Sequence, residues 1–155
     1  MSPPPESFRT RWFRRMMNLW PCYRGTGARV IFIASDWSEV RVRLPLSWRT
    51  RNYVGTIFGG SLYAAVDPFF MIMLLKRLGP DFIVWDKAAS IRFRRPGRTT
   101  LTAVMCIGDG ELDEVRRLME TEPKLDRTYR LELVDKDGMV HAEVDKVVQI
   151  RKKLN

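Results

Sequence analysis

The sequence predicts an α+β domain in which a curved, mostly antiparallel sheet of about six strands wraps one long central helix. Three observations predict it. Residues 59–78 are apolar at nearly every position, so this helix must be covered on most sides rather than lie on a surface. Short β-rich runs flank it in hairpin-like pairs, giving the order ββ, buried helix, ββ, surface helix, ββ. Only a curved sheet hides so apolar a helix within 155 residues.

Taken in order, Pro3, Pro4 and Pro5 precede a short basic amphipathic helix over 8–20. There Arg9, Arg11, Arg14 and Arg15 alternate with Trp12, Phe13, Met16, Met17 and Leu19, and Pro21 ends it. Residues 1–20 form this N-terminal helix and 21–155 a single domain. Arg29–Ala34 and Glu39–Leu46 read as two strands joined by Asp36, Trp37 and Ser38, the second alternating Val40, Val42, Leu44 and Leu46 against Arg41 and Arg43. Gly59 to Leu78 is the central helix, stopped by Gly79 and Pro80. Phe82–Phe93 and Thr99–Ile107 are strands around the turn Arg94-Arg95-Pro96-Gly97-Arg98. An extra polar helix, Glu111–Glu122, precedes the last hairpin, Arg127–Val134 and Met139–Ile150, whose Asp137-Gly138 pair supplies the positive φ of its turn.

Composition narrows the partners. The net charge of +9 is unevenly placed, since every basic residue up to Arg51 is an arginine and Arg92, Arg94, Arg95 and Arg98 form a second cluster. Such a field attracts nucleic acid, an acidic membrane surface or a phosphorylated carrier such as coenzyme A. No helix-turn-helix or aromatic RNA-binding pattern accompanies it, so nucleic acid is not expected. The apolar runs fall short of the roughly 20 residues that span a bilayer, and the N-terminus has no secretory signal. Cys22 and Cys106 lack Cys-x-x-Cys or Cys/His companions, which predicts free thiols in a cytoplasmic protein and no zinc site. The basic N-terminal helix has two destinations for its apolar face: packing onto the domain, or a weak contact of residues 8–20 with a membrane surface.

Asp67 is the residue that composition does not explain. A carboxylate inside an apolar helix costs several kcal/mol unless it is paired or hydrated, so it is either answered by a partner or kept for chemistry. Asp67-Pro68 also fits an N-cap followed by proline, which would break the helix in two. Gly59 and Gly60 open the helix and can turn backbone N–H groups, aided by the helix dipole, toward a carbonyl oxygen gaining charge, or merely allow close packing. Eight residues separate Gly59 from Asp67, so one chain cannot bring both to the same atom and a second copy must complete the site. His141 alternates with Glu143 and Asp145 on a strand; a plain outward polar face is the simpler reading than a metal site, and no metal is expected. As the lone histidine, His141 would also have to serve any Ser-His-Asp triad.

The run Asn52-Tyr53-Val54-Gly55-Thr56-Ile57-Phe58-Gly59-Gly60-Ser61-Leu62, with Asp67 fifteen residues after Asn52, resembles hotdog-fold acyl-CoA thioesterases of the phenylacetate-degradation type. Ile91 to Pro96 is similar to the strand end that follows their central helix, and the extra helix to an uncharacterised branch of that superfamily. The resemblance implies a hotdog homodimer or homotetramer, with each site shared between two subunits and no cofactor. It makes Asp67 the general base or nucleophile, Gly59 the oxyanion donor and Asn52 the residue that orients water or substrate. Gly60 would allow close approach, and Phe58 stands where many relatives have a histidine. Asp86 replaces a small hydroxyl residue and would assist Asp67 or raise its pKa. Arg94, Arg95 and Arg98 would hold the phosphates of coenzyme A, unless they are simply a solvated turn. Phe58, Tyr63, Phe69 and Met71 would line an acyl tunnel. The expected activity is hydrolysis of an acyl-CoA or related thioester; the alternative is a non-catalytic acyl-CoA or lipid-binding hotdog protein, prompted by Phe58.

Overall fold

Period-two alternation decides which side of each strand meets the helix. In the computed structural model, which describes residues 3–153, Val40, Val42 and Leu44 of β2 (Glu39–Leu44), Leu101, Ala103 and Met105 of β4 (Leu101–Cys106) and Leu131 and Leu133 of β5 (Lys124–Val134) all turn inward. With β1 (Arg29–Ile33), β3 (Phe82–Phe93) and β6 (Val140–Lys152) they form one antiparallel sheet in the order β1-β2-β4-β5-β6-β3. Phe69, Phe70, Met73 and Leu74 of the central helix are buried in the core with these strand residues. The expected α+β architecture, a curved sheet around a central helix, is the observed one. The outer limits of the two expected units, residues 1–2 and 154–155, lie outside the described residues.

The central helix runs over the expected span with one interruption. It comprises α3 (Gly59–Ala64) and α4 (Phe69–Leu78), joined by a turn at Ala65–Pro68. Pro68 lacks an N–H and cannot continue the helical ladder, so carbonyls near it need other donors. Tyr23 of α2 (Pro21–Gly25) supplies one, its hydroxyl donating to Ala65 O at 2.9 Å, and Lys146 of β6 supplies another, donating to Asp67 O at 2.8 Å. The proline break is real, but the N-cap position is Pro68 itself and no side chain caps it. Asp67 is thus not spent on capping.

Pro21 ends α1 (Phe8–Leu19) and at once begins α2, a second helix that sequence reading does not anticipate, because proline suits the first helical position. α1 lies along β1 with Thr10 buried and Phe13 and Met17 packed on the core. Its Asn18 amide accepts from Val30 N at 2.8 Å and donates to Val30 O at 2.9 Å, while Glu6 accepts from Ile33 N at 3.1 Å. The face carrying Trp12 stays outward. The extra helix, α5 (Asp109–Leu118), starts two residues earlier than expected and ends four sooner, its last expected residues forming turns. Among the described residues no helix is long and apolar enough to cross a membrane.

Candidate active site

Lys146 organises the site. The inward register of β6 runs Ala142, Val144, Lys146, Val148, Ile150, so a lysine takes a core position, 2% exposed, facing the helix break. A buried ammonium needs counter-charge. Its Nζ hydrogen-bonds to Asp67 Oδ1, lies 2.9 Å from Asp86 Oδ2 and donates to the Tyr63 hydroxyl at 3.1 Å. Tyr63 in turn donates to Asp67 Oδ1 at 2.6 Å. Burial pulls the Lys146 ammonium downward in pKa, but its bonds to Asp67, Asp86 and Tyr63 together outweigh this and leave it raised.

The two oxygens of Asp67 have different fates. Oδ1 is anchored by Tyr63 and Lys146, whereas Oδ2 has no protein partner among the described residues, and 44% of the side chain remains exposed. Asp86 is held above the usual carboxylate range chiefly by burial, against the pull of Lys146 and with a further push from the Asp67 charge. Its Oδ1 is buried without a partner. A β-bulge at Lys87 sits directly beside it, where β3 loses one residue of register against β6. Burial first, then the bond to Asp67, also raises the Tyr63 phenol.

Gly59 separates two clefts. One, of about 480 Å³, is lined by Asn52, Thr56, Ile57, Gly59, Phe93 and the turn Arg94–Arg98. The other, of about 420 Å³, is lined by Gly59, Gly60, Tyr63, Ser90, Ile91 and Phe93, so it adjoins the tyrosine that grips Asp67. Neither Gly59 nor Gly60 has an acceptor for its N–H among the described residues. A Cβ on Gly60 would lie 2.4 Å from the Phe58 ring and one on Gly59 3.0 Å from the Phe93 ring, so a side chain at either position would displace an exposed aromatic ring at the cleft mouth.

The cleft walls are fixed to one another. Ile57 N donates to Gly97 O at 2.8 Å, and Arg94 N and Arg95 N both donate to His141 O, at 2.8 and 3.1 Å. Asn52 shapes its own loop, its Oδ1 accepting from Val54 N and Thr56 N and its Nδ2 donating to Thr56 Oγ1 at 2.9 Å, which leaves one amide N–H without a protein partner among the described residues. Arg94 pairs with Glu143 at 2.8 Å, while Arg95 and Arg98 make no ion pair among the described residues.

Asn52, Gly59, Arg94, Arg95 and Arg98 therefore share one cleft, Gly59 and Gly60 the next, and Asp67 meets Asp86 through Lys146. Two sequence expectations need correction. Of the four residues expected to line an acyl tunnel only Tyr63 lines a cleft: Phe69 is wholly buried edge-on against Tyr23, Phe58 is exposed, and neither these two nor Met71 line either one. His141 is buried rather than outward, between Pro96 O and Asp135 Oδ2, both at 3.1 Å, whereas Glu143 and Asp145 pair with arginines on the surface. Lys146 is the residue that sequence reading missed; its signal was a lysine in the apolar register of a strand.

Comparison with solved structures agrees with this architecture. A Pseudomonas aeruginosa protein of unknown function, described as a "probable thioesterase", matches with a TM-score of 0.82 at 20% identity, over 98% of this chain and 100% of that one. A thioesterase from Haemophilus influenzae matches at 0.71 and 11% identity over 99% and 98%. The E. coli PaaI protein of the phenylacetic acid degradation operon matches at 0.60 and 17% identity over 95% and 96%. At such identities the likeness establishes the fold, which is the hotdog. A search of curated proteins finds no match. The chain belongs to the family described as a domain of unknown function, DUF4442, whose model matches residues 9–150.

Proposed function

We propose that this protein hydrolyses acyl-CoA or a related thioester. The observation that carries the reading is the divided carboxylate of Asp67, with Oδ1 gripped by Lys146 and by Tyr63, which lines the second cleft, and Oδ2 unpartnered among the described residues on a side chain that stays 44% exposed. In this reading Asp67 Oδ2 takes a proton from water as the water oxygen attacks the thioester carbonyl carbon. The Gly59 N–H of the other subunit donates to the oxygen that becomes negative. Collapse of the tetrahedral intermediate breaks the C–S bond, and the departing thiolate recovers the proton from Asp67. Lys146 and Tyr63 are positioning residues that fix the aim of the carboxylate. Asn52 orients water or substrate with its remaining amide N–H, Gly60 beneath the Phe58 ring borders the acyl path, Asp86 shares the Lys146 charge, and Arg94, Arg95 and Arg98 face the phosphates of coenzyme A.

Dimerisation is part of the proposal. β3 is an edge strand, and Ala88, Ala89 and Ser90 along it are exposed, so a second β3 can pair there and bring Asp67 of one copy toward Gly59 of the next. A tetramer would be two such pairs. The free, exposed thiols of Cys22 and Cys106 support a cytoplasmic setting. One observation favours the second reading, a non-catalytic acyl-CoA or lipid-binding protein: one oxygen of Asp67 is already taken up by Lys146 and Tyr63, as in a purely structural ion pair.

Thiol release from a panel of acyl-CoA thioesters, measured alongside their binding, separates the two. The enzyme predicts turnover that drops by at least about a hundredfold in Asp67→Ala. Binding without turnover in the unaltered protein selects the second reading.

A further inference from the structure

Helix α1 has two apolar faces, and the fold uses only one. At about 100° per residue, Thr10, Phe13 and Met17 cluster on the side packed to the domain, while Phe8, Trp12, Met16 and Leu19 occupy an arc of about 80° on the opposite side. Phe8 is 81% exposed, Trp12 57% and Leu19 62%. Trp20 and Trp48 continue this surface beyond the helix end, where Leu19, Pro21, Arg24, Trp48 and Arg49 line a common groove. Three of the chain's five tryptophans thus lie on one outer face.

The charge around the arc has one sign. Residues 7–35 hold six arginines and no acid. Arg14 is neutralised by Glu6 at 2.8 Å, but Arg9, Arg11, Arg15 and Arg24 make no ion pair among the described residues, and Arg9 on one side and Arg11 and Arg15 on the other border the apolar arc. We infer that this face docks on an anionic lipid surface, with Phe8, Trp12 and Leu19 entering the headgroup layer and the arginines meeting lipid phosphates. Tryptophan and arginine at the margin of an apolar stripe is the chemistry that a bilayer interface accommodates. Charge complementarity selects this occupant over the others. A second copy related by a two-fold axis would set arginines against arginines, and a nucleic acid would press phosphates on Phe8, Met16 and Leu19.

Flotation of the full chain with phosphatidylcholine vesicles, with and without about 30% phosphatidylglycerol, tests the inference. Binding is expected with phosphatidylglycerol only. It should weaken about a hundredfold in Arg9→Gln/Arg11→Gln/Arg15→Gln, since each arginine near such a surface contributes roughly fivefold, and about tenfold in Trp12→Ala/Leu19→Ala. Near-UV circular dichroism checks that both variants keep the fold, and the docked face, with Asn18, is untouched in each. Absence of vesicle binding, equal binding by both variants, a fall in oligomer mass in Trp12→Ala/Leu19→Ala, or double-stranded DNA outcompeting the vesicles would each overturn it.

Discussion

Strand β1 closes one side of the sheet with Val30 and Ile33 already hydrogen-bonded by Asn18 of α1 and by Glu6 just before it, whereas β3 closes the other with a row of exposed Ala88, Ala89 and Ser90. An unpaired strand edge is a template for any other strand, so proteins guard it or reserve it. Asn18 imitates the neighbouring strand at Val30, offering one acceptor and one donor where a peptide group would stand. The contrast teaches that pairing has been excluded at β1 and left available at β3. It also continues beneath the sheet: under β1 the packing is apolar, through Phe13 and Met17, while beside β3 it is ionic, through Lys146, Asp67 and Asp86.

Breaking the open edge should have the largest effect. Ala89→Lys sets a cation along β3, so two copies meeting there repel; light scattering should show single chains, and thioester hydrolysis should fall at least about a hundredfold because Gly59 and Asp67 no longer meet. Unchanged mass would transfer assembly to another face. Next comes the ionic packing: Lys146→Met leaves Asp67 and Asp86 together without a cation, and urea denaturation should register a loss of about 3–5 kcal/mol. At the closed edge, Asn18→Ala strips Val30 of both partners and should cost about 1–3 kcal/mol, with faster hydrogen exchange at the Val30 amide. A smaller cost at Lys146 than at Asn18 would reverse the proposed ranking of the two sides.

The smallest effect is on pH dependence. The Asp86 carboxyl is raised in the folded state, mainly by burial, so its contribution to stability is complete below the ordinary carboxylate pKa and is lost as pH climbs through the raised value. Denaturation midpoints of the unaltered protein should therefore decline over that interval relative to Asp86→Asn. Parallel curves would remove Asp86 from the pH response.

Much of this was legible because local rules and tertiary demands agree. β3 spans the expected residues, the Asp137-Gly138 turn joins the last hairpin with Gly138 at φ 78°, and the glycine pair opens the central helix. Asp67 was recognisable as a charge requiring an answer. Its answer was not, because Lys146 lies 79 residues away and only the placement of β6 over the helix break joins them. The Asn18 clasp was hidden for the same reason: an asparagine in a helix carries no mark of the strand it will serve. Pro21 could be seen to stop one helix, but the same geometry starts another.

The clasp also bears on the order of synthesis. Glu6 and Asn18 leave the ribosome before Val30 and Ile33, so the residues that cover β1 are already made when the strand emerges. β3 has no such guard and must wait for β6, the last strand made, before even its inner side is paired. Slowing translation between residues 93 and 140 would prolong that exposure.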